Sequence, residues 1–297
     1  FFGTVISLER AVAIGASWAY LAPLAAGSSG LLLLAGAPLG PGRGLASLGA
    51  LGLIAASVVA LRRQMAMHTA ILTLAAVCWL AGNAVWISTG NPAQATPWWL
   101  LFLVLTIAGE RLELTRMLPT PAHARTIFVA IVTTLTLAAS LAADRWLAGG
   151  LLALALWLLR YDIARRNLSS DGMTRYIAIC LFSGYLWLAL AGLLGLGGAL
   201  TSGHPARDPA LHALALGFVF AMVFGHAPII FPAVTRIRIP WHPALYLPLA
   251  LLHLTLLVRV AGGTLGHWAL RAGGGLLNAL ALVAFIATVI TLVRKGR

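Results

Sequence analysis

The histidines are the residues of this sequence with the clearest capacity for chemistry, because three of the eight lie inside long apolar runs. His212 and His226 belong to the run LHALALGFVFAMVFGHAPIIFP, and His253 belongs to the run LLHLTLLVRVAG. A neutral imidazole offers a lone pair to a metal, and imidazoles on facing helices are typical ligands of haem iron. The sequence therefore indicates a buried haem or metal site.

The spacing of these three histidines predicts which of them meet. His212 and His226 are 14 residues apart, which on an α-helix gives a net rotation of about 40° and a rise of about 21 Å. His226 and His253 lie about nine and ten residues from the inner ends of consecutive, oppositely directed runs, so both are expected roughly 13–15 Å deep. We therefore expect His226 and His253 to face each other as axial ligands.

His267 is a fourth candidate ligand, because it follows His253 by 14 residues. A helix that continued through Gly262 and Gly263 would carry His267 to the depth of His212, although this glycine-rich stretch is more typical of a loop. Two antiparallel helices with this spacing resemble the two-haem core of cytochrome b. The predicted cofactor-binding residues are His212, His226, His253 and His267, the first three also being predicted metal ligands. No catalytic residue is predicted.

Each candidate has an alternative interpretation. A single imidazole in a membrane helix often hydrogen bonds to a neighbouring helix, and His212 and His267 also suit positions at a membrane surface. Asn83 and Asn278 are polar residues deep within apolar runs, and we expect each of them to form an interhelical hydrogen bond.

Copper is an alternative metal. His68 follows Met65 and Met67, and these side chains suit Cu(I), although the segment RRQMAMH is equally typical of an ordinary interfacial helix start. His123 and His204 fall in predicted loops, where we expect them to be solvated. Cys78 and Cys180 have no nearby cysteine in the sequence, so the sequence predicts neither a disulfide framework nor a CxxC site.

The composition defines the elements that carry these residues. Of 297 residues, 61% are hydrophobic and 9% are charged, against roughly 25% charged in soluble domains. The apolar runs approach the roughly 20 residues that cross a bilayer, so we predict an all-α, polytopic transmembrane helical bundle. Its ten predicted spans are 12–36, 45–61, 67–88, 97–117, 126–142, 146–160, 175–199, 209–234, 243–261 and 271–293. Despite the net charge of +13, nucleic-acid binding is excluded, because basic residues form short clusters between these spans.

The distribution of positive charge predicts the orientation. Fifteen of the 20 lysines and arginines fall on one side of the ten spans, and positive residues accumulate on the cytoplasmic side. We therefore expect both ends of the chain to be cytoplasmic. Because the connections are short, we expect residues 1–297 to form one bundle, with 209–261 as the candidate haem- or metal-binding helix pair. The sequence begins with Phe1, and we expect its N-terminus to be incomplete.

The segment 208–263, with HALALGFVFAMVFGH and LLHLTLLVRVAG, resembles NnrS-type membrane proteins and, distantly, the haem-copper oxidase subunit I superfamily. The resemblance implies a protein of the bacterial inner membrane that holds haem through His212, His226 and His253, with a link to nitric oxide stress. It departs from the oxidase pattern in having no adjacent His pair. HPALY, from His242 to Tyr246, is similar to the oxidase copper motif HPxxY but is predicted at the inner mouth of its span. Both departures argue against a binuclear oxygen-reducing centre and a proton pump.

The leading functional hypothesis is an integral membrane protein with haem b, with copper as an alternative, that handles electrons or a diatomic gas such as nitric oxide. The lipid bilayer and a redox partner or other membrane subunits would be its partners. One alternative is a cofactor-free anchor or scaffold subunit of a larger membrane complex. A second is a small-molecule permease, prompted by Pro228 and Pro232 in the eighth span.

Overall fold

The computed structural model describes residues 2–115 and 121–295, and every regular element in these two ranges is a helix. This confirms the all-α prediction. The chain divides into two compact units, Phe1–Leu114 and Thr115–Arg297. The expectation of one continuous bundle stays a prediction, and each unit is described by itself.

The first unit contains five α-helices. They are α1 (Phe2–Ile14), α2 (Leu21–Leu34), preceded by the 3₁₀ turn Ser17–Tyr20, α3 (Leu39–Arg63), α4 (Met67–Thr89) and α5 (Pro92–Thr115). The predicted span 12–36 is interrupted at Gly15, whose φ of +67° lies in the left-handed region and ends α1. The membrane-length element there is therefore Ser17–Leu34.

The second unit contains the segments that carry the candidate histidines. Its elements are α6 (Ala122–Ser140), α7 (Asp144–Tyr161), the short α8 (Ala164–Asn167), α9 (Gly172–Leu196), α10 (Arg207–His212), the π-helix Ala213–Phe220, α11 (Ala221–Thr235), the 3₁₀ turn Pro243–Leu245, α12 (Tyr246–Thr264) and α13 (Trp268–Lys295). The helix α12 continues through Gly262 and Gly263 before the chain turns at Gly266, whose φ is +72°.

Nine helical segments within residues 2–115 and 121–295 are long and apolar enough to cross a membrane. Each of them corresponds to a predicted span. The tenth prediction, 146–160, coincides with α7, which has 18 residues but carries Asp144, Arg145 and Arg160 near its ends. Charge at both ends shortens its apolar stretch, so α7 does not belong to the nine.

The surface of the helices is apolar, as contact with a lipid bilayer requires. On α13, for example, Leu276, Leu280 and Val283 are 67%, 54% and 60% exposed. These residues recur at helical spacing on one face, which water would solvate poorly and lipid chains would cover. Together with the nine long apolar helices, this makes the chain a multi-pass membrane protein.

Glycines allow α12 and α13 to approach closely. A Cβ on Gly262 would lie 2.5 Å from the backbone nitrogen of Arg271, and a Cβ on Gly274 would lie 2.7 Å from that of Arg259. Both distances are too short for a side chain. The two helices therefore cross at a point that only residues without a side chain permit.

We predict that Gly274→Val will destabilise the protein, whereas Gly273→Val will not. A Cβ on Gly273 would have no atom within 4 Å, so the two variants share the same change in helix propensity and differ only in overpacking. The difference is expected to be about 1–3 kcal/mol in the free energy of unfolding, measured by denaturant titration in detergent. Equal stabilities would show that the α12–α13 crossing is not tightly packed.

Candidate functional site

Four polar side chains meet where α10 begins, α12 ends and α13 begins. The Oδ1 atom of Asp208 accepts a hydrogen bond from Arg259 Nη2 at 3.1 Å, and Oδ2 forms an ion pair with Arg271 Nε at 3.2 Å. His212 Nδ1 lies 3.2 Å from Asp208 Oδ1. We call these four residues the Asp208 cluster. It joins three helices through a single carboxylate and carries one net positive charge when His212 is neutral.

Small and rigid residues around the Asp208 cluster hold its helices together. A Cβ on Gly263 would lie 2.5 Å from Pro209 Cγ, so the start of α10 presses directly on α12. The Arg271 guanidinium also lies 5.4 Å from the ring centre of Trp268, a cation–π contact. This cluster was not predicted from the sequence. Its signal in the sequence is a pair of glycines near each arginine, Gly262-Gly263 and Gly274-Gly275.

His212 is oriented by its own helix. Its Nδ1 lies 2.8 Å from the backbone oxygen of Asp208, four residues earlier. A carbonyl oxygen only accepts, so Nδ1 carries the proton and Nε2 carries the lone pair of the neutral ring. The ring is half-buried.

The chain from His212 to His226 is not a uniform α-helix. Residues Ala213–Phe220 form a π-helix with Gly217 packed against the ring of Trp187. A π-helix is wound more loosely than an α-helix, so the rotation of about 40° expected from α-helical geometry does not apply. Such segments occur frequently at functional sites.

His226 repeats the local geometry of His212. Its Nδ1 lies 2.7 Å from the backbone oxygen of Met222, again four residues earlier, so Nδ1 donates and Nε2 carries the lone pair. The residue is 8% exposed. The helix α11 continues through Pro228 and Pro232 to Thr235, so the prolines do not interrupt it.

His253 is bonded to α9 through both ring nitrogens. Trp187 Nε1–H donates to Nδ1 at 2.9 Å, which fixes the proton on Nε2, and Nε2–H then donates to Ser183 Oγ at 2.9 Å. The Ser183 O–H in turn donates a hydrogen bond to the backbone oxygen of Ile179 at 2.7 Å. In this arrangement the lone pair of His253 Nδ1 accepts the hydrogen bond from Trp187, so the neutral ring has no second lone pair for a metal.

His226 and His253 lie at different levels along α9. A Cβ on Gly225, the residue before His226, would lie 3.0 Å from Cys180 Cβ. The α9 partners of His253, Ser183 and Trp187, lie one and two turns further along that helix, about 4.5 and 10 Å. The two imidazoles were expected at equal depth, but in the structure they are offset along α9 by at least about one helical turn.

His267 lies outside the apolar interior. It is an exposed residue in the turn between α12 and α13, and its backbone N–H donates to the oxygen of Gly262 at 2.8 Å. Because α12 ends at Thr264, His267 does not extend the α12 helix to the depth of His212, which was the condition for its role as a ligand.

The histidines considered as copper ligands, His68 and His242, contact other groups of the protein. His68 is buried with Nε2 3.8 Å from Glu113 Oε1, whereas Met65 is 84% exposed, so they do not form one ligand set. His242 Nδ1 accepts the backbone N–H of Ala244 at 3.1 Å and caps a 3₁₀ turn. Within residues 2–115 and 121–295, no three His, Cys, Asp or Glu side chains are grouped to hold a metal ion.

The fold and these contacts define an all-α, multi-pass membrane protein with histidines on two neighbouring segments and an ionic cluster at one end of its second unit. The chain belongs to the family described as Domain of unknown function (DUF8744), whose model matches residues 1–294. No curated protein and no solved structure matches the chain.

We predict that His253→Ala will destabilise the protein. The substitution leaves the Trp187 N–H, on a residue only 7% exposed, without an acceptor. An unpaired buried donor costs about 1–3 kcal/mol, measurable by denaturant titration. The exposed His267→Ala is the matched control and should change stability little. If both variants were equally stable, the bonds to α9 would not contribute to folding.

We also predict that Asp208→Asn will loosen the contact of α10 with α12 and α13. The substitution leaves the guanidinium groups of Arg259 and Arg271 without the carboxylate that pairs with both. The expected loss in the free energy of unfolding is about 1–3 kcal/mol, a moderate value because solvent partly screens the Asp208 carboxylate. Proteolysis and thermal unfolding would measure the effect. Asp171→Asn, at an exposed loop position, is the control, and equal behaviour of the two variants would contradict a stabilising role for Asp208.

Proposed function

We propose that this protein is an integral membrane haem protein in which His226 binds haem b and His212 serves a second haem or metal position. The observation that carries the proposal is the shared orientation of the two rings. Each donates Nδ1–H to the carbonyl four residues earlier, at 2.8 Å for His212 and 2.7 Å for His226. In the neutral ring, each histidine therefore has its proton on Nδ1 and its lone pair on Nε2, the tautomer that binds a metal through Nε2.

This orientation fits what iron requires of an imidazole. A histidine that binds a metal typically donates its other ring N–H to a carbonyl or carboxylate, which fixes the tautomer and the ring direction. His226 is also buried, and on the same helix Phe224 belongs to an apolar core cluster of the second unit, against which Ala227 packs. Low polarity favours the neutral ring that ligation needs. The residues on this segment thus suit haem ligation.

His253 takes a different role in the proposal. With both nitrogens hydrogen bonded to Trp187 and Ser183, it holds α12 against α9. In the proposal, His226 alone would therefore hold the haem in place of the predicted pair of His226 and His253. A haem held there would supply the capacity to bind a diatomic gas or to exchange electrons.

The resemblance of residues 208–263 to NnrS-type proteins supports the same class of function. On this basis we propose a bacterial inner (cytoplasmic) membrane location. We also propose that both ends are cytoplasmic, as the distribution of arginines favours, which requires α7 to cross the membrane as a tenth span beside the nine long apolar helices. Electron transfer or nitric oxide handling is the proposed activity, and a redox partner or further membrane subunit is the proposed source of electrons.

We predict a b-type reduced-minus-oxidised spectrum and a positive pyridine haemochrome assay for the detergent-purified protein. His226→Ala should reduce haem per chain about tenfold, because the substitution removes the imidazole that would hold the haem. His267→Ala, an exposed histidine of the same unit, should retain the haem of the wild type.

His253→Ala distinguishes the two ligand sets. We expect the folded variant to retain haem, whereas loss of haem from well-folded His253→Ala protein would favour the pair of His226 and His253 as ligands. A protein that expresses with added haem precursor and still shows no haem absorbance would contradict the proposal. The cofactor-free scaffold hypothesis would then lead, and stoichiometric partners after mild solubilisation would test it.

A further inference from the structure

A separate site in the first unit has no role in haem binding. Arg43 lies in the first turns of α3, and its guanidinium carbon is 4.5 Å from the ring centre of Trp86 on α4. Trp86 packs edge to face against Trp99 of α5, with ring centres 5.5 Å apart. Three helices therefore meet around one cation and two indole rings.

The neighbouring asparagine carries a further donor without an acceptor. Trp99 Nε1–H donates to Asn83 Oδ1 at 3.1 Å, and Asn83 lies one turn before Trp86 on α4. The Asn83 side chain is 2% exposed, yet its Nδ2 has no hydrogen-bond partner. The Nε atom of Arg43 is likewise buried without a partner. Buried donors without acceptors are costly, so each of them favours an oxygen acceptor from outside the chain.

No carboxylate of this unit lies near Arg43. Between Arg10 and Arg62 it is the one charged residue in the sequence, and residues 64–109 contain none. The acidic residues Glu110 and Glu113 lie at the opposite end of α5, Glu110 being about 16 Å along that helix from Trp99. Glu9, the third acidic residue of the unit, interacts electrostatically with both of them. Arg43 is therefore a half-buried cation whose charge no side chain at its end of the unit balances.

The position of Arg43 indicates the anion that would balance it. Tryptophans are enriched at headgroup depth, and Trp86, Trp98 and Trp99 all lie at this end of α4 and α5. Phosphate oxygens are the abundant acceptors at that depth, and arginine binds them with paired N–H groups. An indole face beneath the guanidinium holds its plane in one orientation.

Close helix packing fixes this arrangement in advance. A Cβ on Gly82 would lie 2.5 Å from Trp99 Cδ1, so the Trp99 ring lies directly across the α4 backbone. On the other side, Ser29 of α2 donates its hydroxyl to the backbone oxygen of Gly42 at 2.7 Å, which anchors the start of α3 beside Arg43. The cation and its aromatic support are therefore held by contacts with α2 and α5.

We propose that Arg43, with Trp86 and Asn83, forms a binding site for a phosphate group. A phospholipid headgroup and free inorganic phosphate share this chemistry. The site stands independently of haem binding, because it lies in the other unit and uses none of the candidate histidines.

The test is calorimetric titration of the delipidated full-length protein in non-ionic detergent. One arm uses dihexanoylphosphatidylglycerol and the other inorganic phosphate. We expect saturable binding of one equivalent, weakened at least about tenfold in Arg43→Gln, because a charge-assisted bidentate contact is lost. Arg62→Gln removes an exposed arginine at the other end of the same helix and should bind within about twofold of the wild type.

Arg43→Lys covers the case in which the glutamine variant fails to fold. It keeps the charge but loses the planar fork, so we expect binding several-fold weaker than in the wild type. Saturation by the lipid alone would assign the site to a headgroup, and equal competition by inorganic phosphate would assign it to free phosphate. Unchanged affinity in the Arg43 variants, or no saturable binding by the wild type in either arm, would overturn the proposal.

Discussion

The membrane interior provides no water to pair with polar groups, and this constraint governs the buried polar side chains described above. Each needs a partner in the protein or in a bound ligand, because an unpaired group in hydrocarbon is costly. His253 illustrates the result, with Trp187 and Ser183 on its two nitrogens. The Asn278 side chain and the Thr255 hydroxyl, 2.7 Å apart, join α13 to α12 in the same way.

Much of the helical architecture follows from the sequence because apolar runs are local signals. The runs located all nine membrane-length helices, and α7 differs through the charges at its ends. The interhelical roles expected for Asn83 and Asn278 are confirmed by their bonds to Trp99 and Thr255. A deep amide in an apolar run has few alternatives to such a partner.

The contacts of the candidate site were harder to predict because their partners are distant in the chain. Trp187 and His253 are separated by 66 residues, and Asp208 and Arg259 by 51. Counting residues from the helix ends predicted the same depth for His226 and His253, but residue counts do not indicate which neighbouring helix each ring faces. In the structure, α9 packs against both segments, and His253 faces α9. The glycines at the α12–α13 crossing are the sequence feature that would have pointed to the Asp208 cluster.

The π-helix Ala213–Phe220 gives the segment between His212 and His226 a property that a uniform helix lacks. In an α-helix the angle between two side chains is fixed by the number of residues between them. The eight residues of the π-helix are wound more loosely than α-helical residues. The angle between the His212 and His226 side chains therefore depends on where the hydrogen-bond pattern switches between i→i+5 and i→i+4. A shift of that switch by one residue would turn one imidazole relative to the other while leaving both local carbonyl bonds intact. The position of the π-helix therefore sets the angle between two imidazole rings that are each fixed to their own helical turn.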